Sequence, residues 1–209
     1  MKNINLYIIE KLHINKDTKQ QFNYCPKDKD ELKSLINQLV RERGNDADLT
    51  DINVSKITDM SYLFKNMNIK DIDISNWDVS NVTNMNNMFF HCNNFVGKSI
   101  EDWDVSKVET TIDMFQLCDY FDANLQNWNL KSLKNAQGMF GNTTRFTGKG
   151  LEKWKLPSIE NINGMFYSAA SFNNKGIENW NIDYNVSMES ALFRSKLKEY
   201  PSWYNDLPF

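Results

Sequence analysis

Apolar positions in this chain recur on a long beat. Trp77, Trp103, Trp128, Trp154 and Trp180 follow one another at steps of 26, 25, 26 and 26 residues. Met88-Phe89, Met114-Phe115, Met139-Phe140 and Met165-Phe166 keep the same step, as do Phe95, Phe121, Phe146 and Phe172. A self-similar period of this length predicts stacked units that each pack only on their neighbours. The pattern begins imperfectly at Asp51, where Ile52, Val54, Ile57, Met60, Leu63 and Phe64 each precede a counterpart between Trp77 and Phe89 by 25 residues. Fuller copies start near Ile74, Ile100, Leu125, Leu151 and Ile177. In the last, Asn185 stands where the second aliphatic belongs, and one residue is inserted before Leu192-Phe193.

Two elements are expected inside each copy. Asn84, Thr110, Asn135, Asn161 and Ser187 are N-capping types at one repeat position, where a short side-chain acceptor can satisfy the first helical N–H groups. Behind the cap, Met85, Met88, Phe89 and Cys92 are spaced i, i+3, i+4, i+7, as are Ile162, Met165, Phe166 and Ala169. The spacing predicts a two-turn helix, too short to persist without packing. Around each Trp the alternation is period two, which predicts a short strand. Stacked copies would align these strands as a parallel sheet with about 4.8 Å per copy. Glycines at Gly97, Gly148, Gly150 and Gly176 mark turns between helix and next strand, where the difference between 25- and 26-residue copies is absorbed. The Trp, Met and Phe positions are read as core.

The array needs its ends covered. Leu32, Leu35, Ile36, Leu39 and Val40 fall on one face of a helix over 29–43. Asp28 or Asp30 would cap its start and Gly44 would close it after Arg41 and Arg43. Upstream, Leu6, Ile8, Ile9, Leu12 and Ile14 fit a short strand or a helical turn equally. The division expected is an N-terminal cap over 1–50, repeats over 51–193, and a C-terminal cap over 194–209, where Tyr200, Pro201, Trp203, Tyr204 and Pro208 fold over the last copy.

The run from Trp77 to Phe95, partly repeated from Trp103 to Phe121, resembles the roughly 25-residue repeat of BspA-type leucine-rich-repeat proteins, a bacterial surface-protein repeat. The likeness covers residues 51–193. It implies an α/β fold, a right-handed solenoid of leucine-rich-repeat-like coils with a short strand and a short helix per coil, and by analogy adhesion or protein binding. It supplies no catalytic residues. Surface members carry a leader or a lipobox-type cysteine, and residues 1–24 show neither, so the chain is expected in the cytosol as synthesised, reaching any particle or surface by another route.

Composition narrows the function. A net charge of −3 over 209 residues predicts no electrostatic grip on nucleic acid, and no apolar run approaches the roughly 20 residues of a membrane span. Cys25, Cys92 and Cys118 lack metal-site spacing. Cys92 and Cys118 share a repeat position and are read as two small buried hydrophobes rather than a disulfide. His13 and His91 stand alone. Gly97-Lys98-Ser99 mimics the end of a phosphate loop, but Cys92 stands where its first glycine should be. No catalytic residue, metal site or cofactor is expected.

What remains is the outward side of the Trp stretch. Asn76 and Asp78, Asp102 and Asp104, Asn127 and Asn129, Lys153 and Lys155, and Asn179 and Asn181 flank successive tryptophans, with Glu101 adding charge to the second copy. Alternation points them away from the core as a polar ladder, acidic at one level and basic two copies on. The ladder is the candidate face for an unidentified protein partner or for copies of the chain itself. The function expected is a non-enzymatic interaction or adhesion module; the alternative is a structural component of a larger assembly such as a phage particle or surface layer.

Overall fold

A computed structural model describes residues 22–205. The undecided apolar segment Leu6–Ile14, His13 and the last four residues lie outside them. One α-helix is present among the described residues, α1, Lys29–Arg43. Asp28 caps it, its side chain accepting from the Glu31 N–H at 2.9 Å, and Gly44 ends it at φ +97°. Leu32, Ile36 and Leu39 are fully buried, while Leu35 and Val40 pack at the edge of the core.

From there the chain returns on itself every 25 or 26 residues. Isolated parallel bridges join Asp59 to Asn84, Asn84 to Thr110, Thr110 to Asn135, Asn135 to Asn161 and Asn161 to Ser187. The return begins before Asp51: Asp48 bridges to Asp73 and Tyr24 to Ile52.

The expected two-turn helix after each of these bridges is absent. In its place the backbone runs through tight turns with left-handed residues at two positions per coil. One position holds Tyr62, Asn87, Asp113, Gly138, Gly164 and Ser190; the other holds Asn66, His91, Leu117, Asn142, Ser168 and Arg194. The cause is a division of labour among N–H groups. Met85, Asn87, Phe89 and His91 donate forward to the carbonyls of Thr110, Ile112, Met114 and Gln116 in the next coil, at 2.7–3.0 Å. Met88, Phe90 and Cys92 donate within their own coil, three residues back. An α-helix would spend all of these N–H groups internally. Turns of i→i+3 spacing still bring side chains round near the helical period, so Met85, Met88, Phe89 and Cys92 are all fully buried.

Nor is the Trp stretch a strand. Trp77 to Val79 is all that lies between a turn closed by Trp77 N–H to Ile74 O and another closed by Val82 N–H to Val79 O, too little chain for a ladder. Side chains link the coils there instead. Each indole Nε1 donates to the carbonyl that opens the previous coil: Trp77 to Leu49, Trp103 to Ile74, Trp128 to Ile100, Trp154 to Leu125 and Trp180 to Leu151, at 2.8–3.3 Å. Ring centroids of Trp77–Trp103, Trp128–Trp154 and Trp154–Trp180 are 6.0–6.4 Å apart and nearly parallel. Beside this column, Phe64, Phe89, Phe115, Phe140 and Phe166 stack at 5.2–5.6 Å. These rings are the core, and burial of such groups contributes the largest favourable share of folding.

Copy length has a local cause. The 26-residue steps contain a 3₁₀ turn at the corner before Trp, at Lys98–Ile100, Leu151–Lys153 and Lys175–Asn179; the 25-residue steps contain none. Gly97 and Gly148 precede the first two, at φ +90° and +85°. A Cβ on either would lie 2.4–2.5 Å from a ring carbon of Phe121 or Phe172 in the next coil. Where the plain corner 71–75 meets the 3₁₀ corner 97–99, a cleft of about 390 Å³ opens.

The two ends differ in how they are finished. At the first coil, the Lys33 ammonium of α1 donates to the carbonyls of Tyr62 and Leu63, and Lys29 donates to Asp59 and Ser61. Burial pushes the Lys33 ammonium below the ordinary lysine range. Arg43, near the other end of α1, forks onto both carboxylate oxygens of Asp51 at 2.9 and 3.0 Å, which holds that carboxyl below its usual range. In the last coil, Tyr167 stacks on Phe193 and Phe166 N–H donates to Ala191 O. Ala191-Leu192 therefore matches Met165-Phe166 at the same 26-residue step as Trp154 to Trp180, so the insertion read before Leu192-Phe193 is absent; Val186 is buried in the aliphatic slot and Asn185 is exposed. Trp203 adds one more ring, 5.9 Å from Trp180, with Nε1 on Ile177 O.

Cys92 and Cys118 are free, buried thiols donating to Phe64 O and Phe89 O at 2.9 Å. Burial pushes the Cys92 thiol up to about 12 and Cys118 well above its ordinary value, so both stay neutral.

Two glycine substitutions separate strain from crowding. Gly164 is left-handed at φ +59°, but a Cβ there meets nothing nearer than 3.7 Å. Gly164→Ala should cost about 1–2 kcal/mol from the left-handed backbone, and Gly97→Ala a further 1–3 kcal/mol or so from overpacking. Equal losses in denaturant melts would show that the Phe121 contact is not tight. The Arg43–Asp51 fork gives a pH signature. Because the folded Asp51 pKa is depressed, its stabilisation is present above about pH 4 and is lost as pH falls through the folded value. Asp51→Asn should cost about 1–2 kcal/mol at neutral pH, with the gap to wild type closing in acid; a pH-independent gap would refute the pairing.

Candidate protein-binding face

Each row of the ladder sits between the two turns that bracket a Trp. The residue before Trp occupies the first turn, and the residue after it occupies the short extended stretch. All ten flanking residues, Asn76 to Asn181, are exposed, and Glu101 is half-buried. The exposure expected from alternation is therefore found, although the stretch carries no strand ladder.

Several of these groups already have internal work. Asp78 accepts from the Ser80 N–H and Oγ at 3.1 and 2.6 Å, Asp104 from the Ser106 N–H at 3.0 Å, and Asn129 from the Lys131 N–H at 3.3 Å. Such a side chain closes a small turn by reaching two residues ahead. The Ser106 bonds hold the Asp104 carboxyl below its ordinary range, helped by the nearby charges of Lys131 and Lys107. Asn127 Nδ2 donates to Asp102 at 2.7 Å, and Glu101 accepts from the Asn124 N–H at 2.9 Å. The acidic row is thus held in place by its own coil and the next. The side chains of Lys153 and Lys155 make no hydrogen bond or ion pair among the described residues, and neither do those of Asn179 and Asn181.

The structure also brings in residues that alternation did not select. Lys107 and Lys131 are central residues of the second turn in their coils, closed by Val108 N–H to Val105 O and Leu133 N–H to Leu130 O, and their charges act on Asp104. Their signal in the sequence is the Ser-Lys pair after Val105 and the Lys-Ser pair after Leu130.

The other residues weighed for chemistry have local structural surroundings. Gly97-Lys98-Ser99 is a corner turn whose Ser99 Oγ donates to Ile72 O. His91 is exposed, with Nδ1 3.2 Å from Asn66 Oδ1. Among the described residues no three His, Cys, Asp or Glu side chains gather as a metal site, and no helix is long and apolar enough to cross a membrane.

Comparison with known proteins gives one match. A family profile described as "Mycoplasma protein of unknown function, DUF285" aligns to residues 31–150 and 137–199. No curated protein and no solved structure matches. The two aligned segments overlap and run together from the middle of the N-terminal cap through the last coil, most of the chain, and the chain therefore belongs to this DUF285 family of Mycoplasma proteins of unknown function.

Proposed function

We propose that the chain is a non-enzymatic protein-binding module: a leucine-rich-repeat-like solenoid of the BspA type whose Trp-flanking face docks another protein. The observation that carries this reading is the charge left over on that face. Asp102 and Asp104 are exposed and fixed in position by Asn127 and Ser106, and Lys153 and Lys155 are exposed with no internal partner among the described residues. Charges held in place before contact lose little side-chain entropy on docking, and opposite-sign patches steer encounter and reject wrong partners.

A charge-reversed chain tests the reading. Tagged wild type and a variant carrying Asp102→Lys, Asp104→Lys, Lys153→Glu and Lys155→Glu are used to pull down proteins from the native source, with mass spectrometry as the readout. A specific partner held by wild type should fall at least about tenfold with the variant, the effect expected from losing several close charge pairs. Recovery of the same proteins in equal amounts from both would remove this face from the binding account.

A further inference from the structure

The ladder has a symmetry that points to one partner in particular. Read across the stack, the rows beside Trp103, Trp128 and Trp154 are acidic (Asp102, Asp104), neutral (Asn127, Asn129) and basic (Lys153, Lys155). Of the outer rows, Asn76 with Asp78 carries one charge, and Asn179 with Asn181 carries none. We propose that this face pairs with the same face of a second copy, through a two-fold axis running along the Asn127–Asn129 row. The inference rests on the reading of the face as a binding surface and names its partner.

The geometry follows from the stacking. A two-fold axis lying in the face along one coil reverses the order of the coils and keeps each column in line. Asp102 then meets Lys153 of the second copy and Asp104 meets Lys155, with the reciprocal contacts repeating both. Asn127 and Asn129 meet themselves, and an amide can donate to and accept from its own copy. Within one molecule the acidic and basic rows are two coils, roughly 10 Å, apart. None of the ion pairs among the described residues joins them, so both remain available to a second copy. At the rim Glu101 would approach Glu152, but the first is bonded to the Asn124 N–H and the second to Asn174 Nδ2. Lys131 lies beside the axis, within reach of the charge of Asp104. The face is three residues wide between its bracketing turns, a patch of roughly 250 Å², well below the ~800 Å² per partner of a standard interface. The pairing is accordingly weak and salt-sensitive.

Charge swapping tests it with the full chain in sedimentation equilibrium at low salt and high protein concentration. Wild type should self-associate, and the association should weaken at least about tenfold in salt that shortens the screening length to ~3 Å. Two half-reversed variants, one with Asp102→Lys and Asp104→Lys and the other with Lys153→Glu and Lys155→Glu, should each be monomeric, and their equimolar mixture should form a heterodimer. The fully reversed variant should dimerise like wild type, because its pattern is the same palindrome with the signs exchanged. Circular dichroism melts show that each variant is folded. Monomeric wild type, or half-reversed variants that dimerise alone, would overturn the proposal. Failure here with a partner still lost in the pull-down would leave the heterologous binding face standing, whereas a fully reversed variant that dimerises with itself and loses only native copies of the chain from the captured proteins would leave the self-pairing and remove the heterologous partner.

Discussion

Every second N–H of the turn segment crosses to the next coil, and most other features of the molecule follow from that. Donors at Met85, Asn87, Phe89 and His91 must point along the stack while the residues between them close turns. Two of the four can do so only in the left-handed region, which is why Asn, Asp and Gly recur there. The same rule creates a demand at the first coil, whose carbonyls have no coil before them. The Lys33 ammonium meets that demand at Leu63, so α1 acts as a polar cap as well as an apolar lid.

Aromatic stacking and indole hydrogen bonds do the corresponding work on the opposite side. Three extended residues between two turns cannot support backbone pairing, so Trp supplies both a buried ring and the missing donor. A phenylalanine column could fill the space but would leave each coil's opening carbonyl with its own turn N–H alone, losing one hydrogen bond between coils at every level. This explains a tryptophan at one place and phenylalanine at two others, on the same period. It also keeps the ladder rows at fixed height and spacing, which a docking face needs.

What could be read from the sequence was position rather than conformation. Burial of the stripe at Met85, Met88, Phe89 and Cys92, exposure beside each Trp, the limits of α1, and the corner that absorbs the 25/26 difference were all legible, because side-chain polarity reports which way a residue faces. The helix was not, since i, i+3, i+4, i+7 spacing is shared by a helix and by successive i→i+3 turns. Left-handed residues such as Leu117 and Tyr62 leave no compositional mark. The capping types at Asn84 and Asn135 do close turns two residues ahead; what they start is a turn rather than a helix. On the candidate face, the flanking residues were found by alternation, while Lys131 was missed because its approach to Asp104 depends on a turn.

The capping column is not uniform. Asn84, Asn135 and Asn161 bond their own coil's N–H two residues on. At Thr110 and Ser187 the service comes from the coil before. Asn86 Oδ1 accepts from the Ile112 N–H and Thr110 Oγ1, and Asn163 Oδ1 from the Glu189 N–H and Ser187 Oγ. Near-identical coils invite a folding chain to pair one repeat out of step, with every ring still finding a ring. These two junctions would then be mismatched: the coil at Thr110 would lose its acceptor, while an asparagine would compete with one already in place. The two borrowed caps set among native ones therefore serve as a key cut into an otherwise repetitive stack, penalising the slipped registers that stacking alone would accept.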